Sequence, residues 1–160
     1  MKLIQLSETQ LARLILCRGE LNDLVLIEGS IPPEHVLQRS MKLMSHRVNS
    51  ILALPYLIQN NSKIIGCCGF KSSPNNSRIE IGYNVAPSAR GLGTATLAVK
   101  RLCKIAFDSG EVVTVVALIA PENRASLKVV QKNNFSYLEL VIDEEGEQLA
   151  CWALNKPICK

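Results

Sequence analysis

No two of the six cysteines stand in a C-x-x-C pair, and there are only two histidines. Neighbouring Cys67 and Cys68 should point to opposite faces of a strand, so they cannot readily share one ion. A zinc site is therefore not expected, and no metal is assigned. The cysteines read as reduced and mostly core residues, although their even number also leaves a secreted disulfide framework open. No apolar run approaches the ~18 residues of a membrane span. The opening "MKLIQLSETQLARL" lacks the unbroken apolar core of a secretion signal, so a cytoplasmic location without membrane partners is expected. Aromatic residues make up only 4% and no run of basic residues occurs, which argues against nucleic acid as a partner.

What is present is a chain of 160 residues, 48% hydrophobic and 20% charged, enough for one domain spanning 1–160. The net charge of +4 is not evenly spread. From Arg90 to Lys132 there are seven basic residues and three acidic ones, while the remainder carries eleven of each sign. The whole excess thus falls in one segment. That suits a polyanionic ligand, and equally a solvated basic helix face.

Local patterns give the order of elements. "KLIQL" reads as a short strand, followed by a capping box with Ser7 at the N-cap and Gln10 three residues on. Leu6 and Leu11 stand at the positions of a hydrophobic staple. Residues 18 to 33 read as a loop or a broken helix. After "IPPEH" a second helix is predicted, with Leu37, Met41, Met44 and Val48 on its buried face and His35 and His46 on its solvent side. "ALPYLIQN" and "KIIGCCGF" form a hairpin. In "RIEIGYNV", Ile79, Ile81, Tyr83 and Val85 share one face, with Arg78, Glu80, Gly82 and Asn84 on the other. A helix follows the glycines Gly91 and Gly93, then the apolar strand "VVTVVALIA", then a short helix within "PENRASLKVVQKNNF". Asn123 is its N-cap, and Asn134 takes the left-handed position at its end. "SYLELVIDEEGEQLACWAL" closes the chain as a hairpin whose exposed edge would permit a homodimer. The order β-α-α-β-β-β-α-β-α-β-β predicts an α/β fold with a mixed sheet, one parallel crossover and helices on both faces.

The stretch "NVAPSARGLGTATLAVKRL" carries the chemistry. A strand ends at Val85, and a short loop with two glycines opens a helix. Unpaired helix N–H groups, a positive dipole end and Arg90 together make an anion site. A dinucleotide loop would need a third glycine where Thr96 stands, and a P-loop would need G-K-[ST], which is absent.

"RGLGTA" resembles the R/Q-x-x-G-x-G/A signature of the GNAT superfamily of N-acetyltransferases. "EIGYNVAPSARGLGTAT" is similar to the strand and loop leading into it, and "PENRASLKVVQKNNF" to the later family motif N-x-x-S followed by K-x-G-F. The likeness is closest to the branch that includes the ribosomal-protein N-terminal acetyltransferases. It covers residues 63 to 135 well and the first 50 only by topology. It implies an acyl-CoA N-acyltransferase-like fold with a mostly antiparallel central sheet. It implies direct transfer of an acetyl group from acetyl-CoA to a primary amine of a small molecule, protein or peptide. Backbone N–H groups of Arg90, Gly91, Leu92, Gly93, Thr94 and Ala95 would hold the pyrophosphate. Pantetheine would pair with the edge of a splayed strand, the Val85 N–H would polarise the acetyl carbonyl, and Asn123 and Ser126 would lie near pantetheine and sulfur. Lys132 would reach the adenosine phosphates.

Amine acetylation also needs a base and a proton donor for the leaving thiolate. Glu80 is the candidate base, with a plain salt bridge as its other reading; Glu139 and Glu145 are weaker candidates. Where many members of the family have a tyrosine, this chain has Val130, so Ser126 is the candidate acid. Tyr83 reads as core. Two alternatives follow: a non-catalytic acyl-CoA-binding regulatory module, motivated by Val130, and a cysteine acyl-enzyme.

Overall fold

The computed structural model describes residues 1–17, 21 and 24–157. The side chains of Cys17 and Cys159 and residues 18–20, 22 and 23 of the poorly legible segment lie outside the described residues. Among those described, eight strands form one sheet. In chain order the elements are β1 (Lys2–Gln5), α1 (Glu8–Cys17), β2 (Val25–Leu26), α2 (Glu34–Ser45), α3 (Ser50–Ala53), β3 (Tyr56–Asn60) and β4 (Lys63–Phe70). They continue with β5 (Arg78–Val85), a 3-10 turn (Pro87–Ala89), α4 (Thr94–Asp108), β6 (Thr114–Ile119), α5 (Arg124–Lys132), β7 (Ser136–Ile142) and β8 (Gln148–Asn155). The sheet order is β1-β3-β4-β5-β6-β8-β7, with β2 alongside the start of β4. The pairs β5–β6 and β2–β4 are parallel and the others antiparallel.

Local chemistry sets the element ends. At α1 the Ser7 N–H donates to Gln10 Oε1 at 2.9 Å and the Gln10 N–H to Ser7 Oγ at 3.1 Å, a reciprocal capping box. Leu6 and Leu11 are both fully buried beside it. At the end of α5, Asn134 has φ +61° and the Phe135 N–H donates to the Val130 carbonyl at 3.1 Å. This is the chain reversal that the left-handed residue was expected to make.

Helices cover both faces, and the sheet's alternation sorts them. Leu57, Ile64 and Cys67 pack under α1 and α2, while Ile58, Ile65 and Cys68 pack under α4. The neighbouring cysteines thus do serve opposite cores. On β5, Ile79, Ile81 and Val85 join the α4 side, as their spacing predicted. The sheet face formed by Val116, Cys151 and Ala153 makes a smaller cluster with Leu118 and Val141. β7 is an edge strand on which Leu140 and Ile142 are exposed.

Two features depart from the sequence reading. In α2 the buried residues are Leu37, Ser40 and Leu43, not the stripe through Met41 and Val48. The helix stops at Ser45, His46 caps it and Arg47 turns left-handed at φ +58°, so Val48 falls outside. The short β2 and α3 were not anticipated, being two and four residues long.

Candidate active site

β5 and β6 pair only through Arg78–Thr114, Ile79–Val115 and Glu80–Val116. Beyond Glu80 they part, while β6 runs on beside β8 to Ile119. The Lys71 N–H donates to Glu80 O and the Ala86 N–H to Ile65 O, so even-numbered residues of β5 bond toward β4. The backbone groups of Ile81, Tyr83 and Val85 therefore face the gap. The Val85 carbonyl is taken by Arg90 Nε at 2.9 Å. That leaves its N–H as the polar group directed into the cleft.

The cleft has a volume of about 720 Å³ and runs from Tyr83–Val85 to the glycine loop, with α5 as its opposite wall. Gly91 and Gly93 have φ +80° and +76°, and a Cβ on either would meet nothing within 4 Å. Left-handed backbone, rather than crowding by the protein, is what asks for glycine there. The first backbone bond of α4 runs from the Leu97 N–H to Gly93 O at 3.1 Å. The N–H groups of Thr94, Ala95 and Thr96 have no partner within the helix and lie at its positive end. Arg124, Lys128 and Lys132, each four residues apart on α5, line the facing wall. The basic excess seen in the sequence is therefore partly gathered on this cleft.

Of the residues singled out beforehand, Val85, Arg90, Gly91, Gly93, Thr94, Ala95, Asn123, Ser126 and Lys132 all line this one cleft. The Leu92 side chain does not. It is 79% exposed and lines a neighbouring groove. Asn123 caps α5 by accepting the Ser126 N–H at 3.0 Å, which occupies its carbonyl oxygen. Glu80 is not among the cleft residues; its carboxylate binds Lys71 Nζ at 2.5 Å on the opposite face of β5. Val130 is fully buried in the core, and Val129 is the residue of that turn that faces the cleft. Neither has a proton to give.

Tyr83 packs, partly buried, against the core as read, but the core reading missed a second role. It lines the cleft, and its hydroxyl donates across the gap to the Ser126 carbonyl at 3.4 Å. Burial raises its pKa above the ordinary 10, offset only in part by the Ser126 side chain, so the phenol is protonated at neutral pH. Arg124 and Lys128 also belong to the wall although sequence reading left them out; their four-residue spacing to Lys132 was the available signal. Cys67 and Cys103 have pKa values pushed up to about 12 by burial, and Cys68 is raised as well. Such thiols are poor nucleophiles, which counts against a cysteine acyl-enzyme. Among the described residues no group of three or more His, Cys, Asp or Glu could hold a metal ion. No described helix is long and apolar enough to cross a membrane.

Residues 28–136 match the acetyltransferase (GNAT) domain, and the chain belongs to that family. An uncharacterized N-acetyltransferase p20 of Bacillus licheniformis is 32% identical over 90 residues, 56% of this chain and 51% of that protein. The chain spans about half the length of the curated relatives it matches. The aminoglycoside acetyltransferase AAC(6')-Ib, solved in complex with coenzyme A, superposes with a TM-score of 0.69 at 19% identity, covering 97% of this chain and 94% of that one. A point mutant of the spermidine N-acetyltransferase SpeG from Vibrio cholerae gives 0.68 at 13% identity, covering 97% and 95%. At these identities the two structures establish the shared fold.

Proposed function

We propose that the protein transfers the acetyl group of acetyl-CoA directly to a primary amine. The observation that carries this is the parting of β5 and β6 after Glu80, with the open glycine loop at one end of the gap and Tyr83 at the other. The cleft fits the donor: free N–H groups and a basic wall for its phosphates, and a strand edge for its amide-bearing arm. When bound, acetyl-CoA supplies a thioester. The backbone from Arg90 to Ala95 would hold the pyrophosphate, with Arg124, Lys128 and Lys132 supplying countercharge. The Val85 N–H would donate to the carbonyl oxygen as negative charge builds on it.

Proton traffic falls to side chains on either side of β5. As the amine nitrogen bonds to the acetyl carbon, its proton would leave to a water held by Glu80, which shares the Gly82–Asn84 face. As the carbon–sulfur bond breaks, the sulfur would take a proton from the Tyr83 hydroxyl, with the Ser126 hydroxyl as the competing donor. Several cleft-side motifs, "IGY", "RGLG" and the N-x-x-S of Asn123 to Ser126, support the branch with the ribosomal-protein N-terminal acetyltransferases.

Mass-spectrometric detection of acetylated amine tests the reading, using a panel of amines with acetyl-CoA. Tyr83→Phe and Ser126→Ala then separate the two donors: the true acid loses kcat by about 10²–10⁴-fold, and the other changes little. Tight acetyl-CoA binding with no product from any amine would instead favour the non-catalytic module that Val130, in place of a tyrosine, first suggested.

A further inference from the structure

A second cavity, of about 280 Å³, lies against the other face of β5, between α2 and the β4–β5 pair. It adjoins the cleft through two shared residues, Tyr83 and Asn84. Its floor is Gly69 opposite Gly82, directly paired in neighbouring strands. A Cβ at either position would meet its neighbours no closer than 3.4 Å, ordinary contact, so packing does not demand glycine there. Glycine weakens a strand interior, and two facing glycines leave an open floor where a ligand can lie against the backbone. The loop before α2 is pinned to this place by Asn84 Nδ2, which donates to Gly29 O at 2.7 Å.

The charge of this cavity is one-sided. Arg39, His35 and Lys71 line it, and among the described residues no carboxylate does. Lys71 is neutralised by Glu80. Among the described residues the ion pairs are Lys71–Glu80 and Lys104–Asp108, so no described carboxylate pairs with Arg39. None of the acidic residues of the β7–β8 hairpin lines the cavity. A polycationic acceptor would meet like charge here, with no described carboxylate lining the cavity to offset it.

Accepting the acetyl transfer proposed above, we infer that this cavity binds the acceptor, and that the acceptor is a small amine carrying its own anionic group, a carboxylate or a phosphate. The amine faces the Tyr83–Asn84 junction, where the cleft begins. The anion meets the Arg39 guanidinium, whose planar fork matches either group with two hydrogen bonds, with His35 at the rim.

The test is a set of matched acceptors assayed with acetyl-CoA for acetylated product: glycine and serine against glycinamide and serinamide, glucosamine 6-phosphate against glucosamine, and spermidine. The anionic member of at least one pair should be favoured in kcat/KM by about ten- to a hundred-fold, the range of a charge-assisted hydrogen-bonded contact. The amino-acid and sugar pairs tell carboxylate from phosphate. Arg39→Gln should raise KM for the anionic acceptor by a similar factor and leave its neutral partner unchanged, with Arg39→Lys recovering part of the loss. Equal use of both members, preference for spermidine, or acetyl-CoA binding without acetylation of any anionic amine overturns the inference and leaves the donor site standing. Absence of acetyl-CoA binding removes the proposed function itself, and this inference with it.

Discussion

Gly93 separates charge from shape at the mouth of the cleft. It is the left-handed residue before the first turn of α4, and space opens beside it. Gly93→Asn and Gly93→Asp place side chains of nearly equal size there, and both residue types tolerate left-handed backbone better than others do. The two variants should fold with similar stability and differ by one negative charge. If a pyrophosphate lies over Gly91 and Gly93, that charge sits about 4 Å from it. The repulsion is then about 1 kcal/mol with the dielectric of bulk water and about 4 kcal/mol at an effective value of 20. Asp should bind acetyl-CoA more weakly than Asn by about five- to several-hundred-fold. Calorimetric titration of the two variants measures this directly, and repeating it in 1 M salt should shrink the gap as screening shortens to about 3 Å. Equal Kd values for Asn and Asp at low salt would refute the phosphate assignment, however weak both were.

Other outcomes follow from the same structure. Val130→Tyr, which installs the residue type many of the family use, should not raise turnover, because position 130 is fully buried; it should instead cost about 1–3 kcal/mol by overpacking, read from urea melts. Gly66→Ala should destabilise by about the same amount or more, since a Cβ there would lie 2.4 Å from the Asn84 carbonyl oxygen. Asn134→Gly should change stability by less than about 1 kcal/mol, because asparagine already tolerates the left-handed backbone and glycine adds unfolded-state entropy. Cys67 and Cys103 have folded pKa values raised from 9 to about 12, and Tyr56 from 10 to about 12. Raised values favour the neutral forms in the fold. Their contribution to stability is complete below pH 9 and should be lost as pH climbs from 9 toward 12, visible in denaturant midpoints measured across that range.

The elements that sequence made legible are those set by neighbours along the chain. Ser7 and Gln10 close a box within one turn, and Asn134 reverses the chain at the end of its own helix. The apolar run of β6 declared a central strand because burial on both faces removes alternation. The glycine loop was readable for the same reason: a helix start and its unpaired N–H groups are local facts. Tyr83 was not readable. Its spacing with Ile79 and Ile81 says core, and only the departure of β6 after Glu80 turns that stretch of the same face into a cleft wall. The position where many of the family have a tyrosine falls on Val130, but the way α5 packs puts Val129 toward the cleft. In α2 the buried Ser40 carries no hydrophobic signal, so the periodicity settled on Met41 instead. The facing pair Gly69 and Gly82 depends on register between two strands, which neither strand states alone.

Thermal unfolding with acetyl-CoA, CoA and NAD side by side tests the central claim most directly. A ligand at about 100 times its Kd adds roughly 2.7 kcal/mol to stability, or roughly 5–10 °C for a domain of this size. A rise of that order with acetyl-CoA and CoA, and none with NAD, is the result expected if the cleft between β5 and α5 holds the acetyl donor. No rise with either CoA species, or a rise with NAD instead, would contradict it.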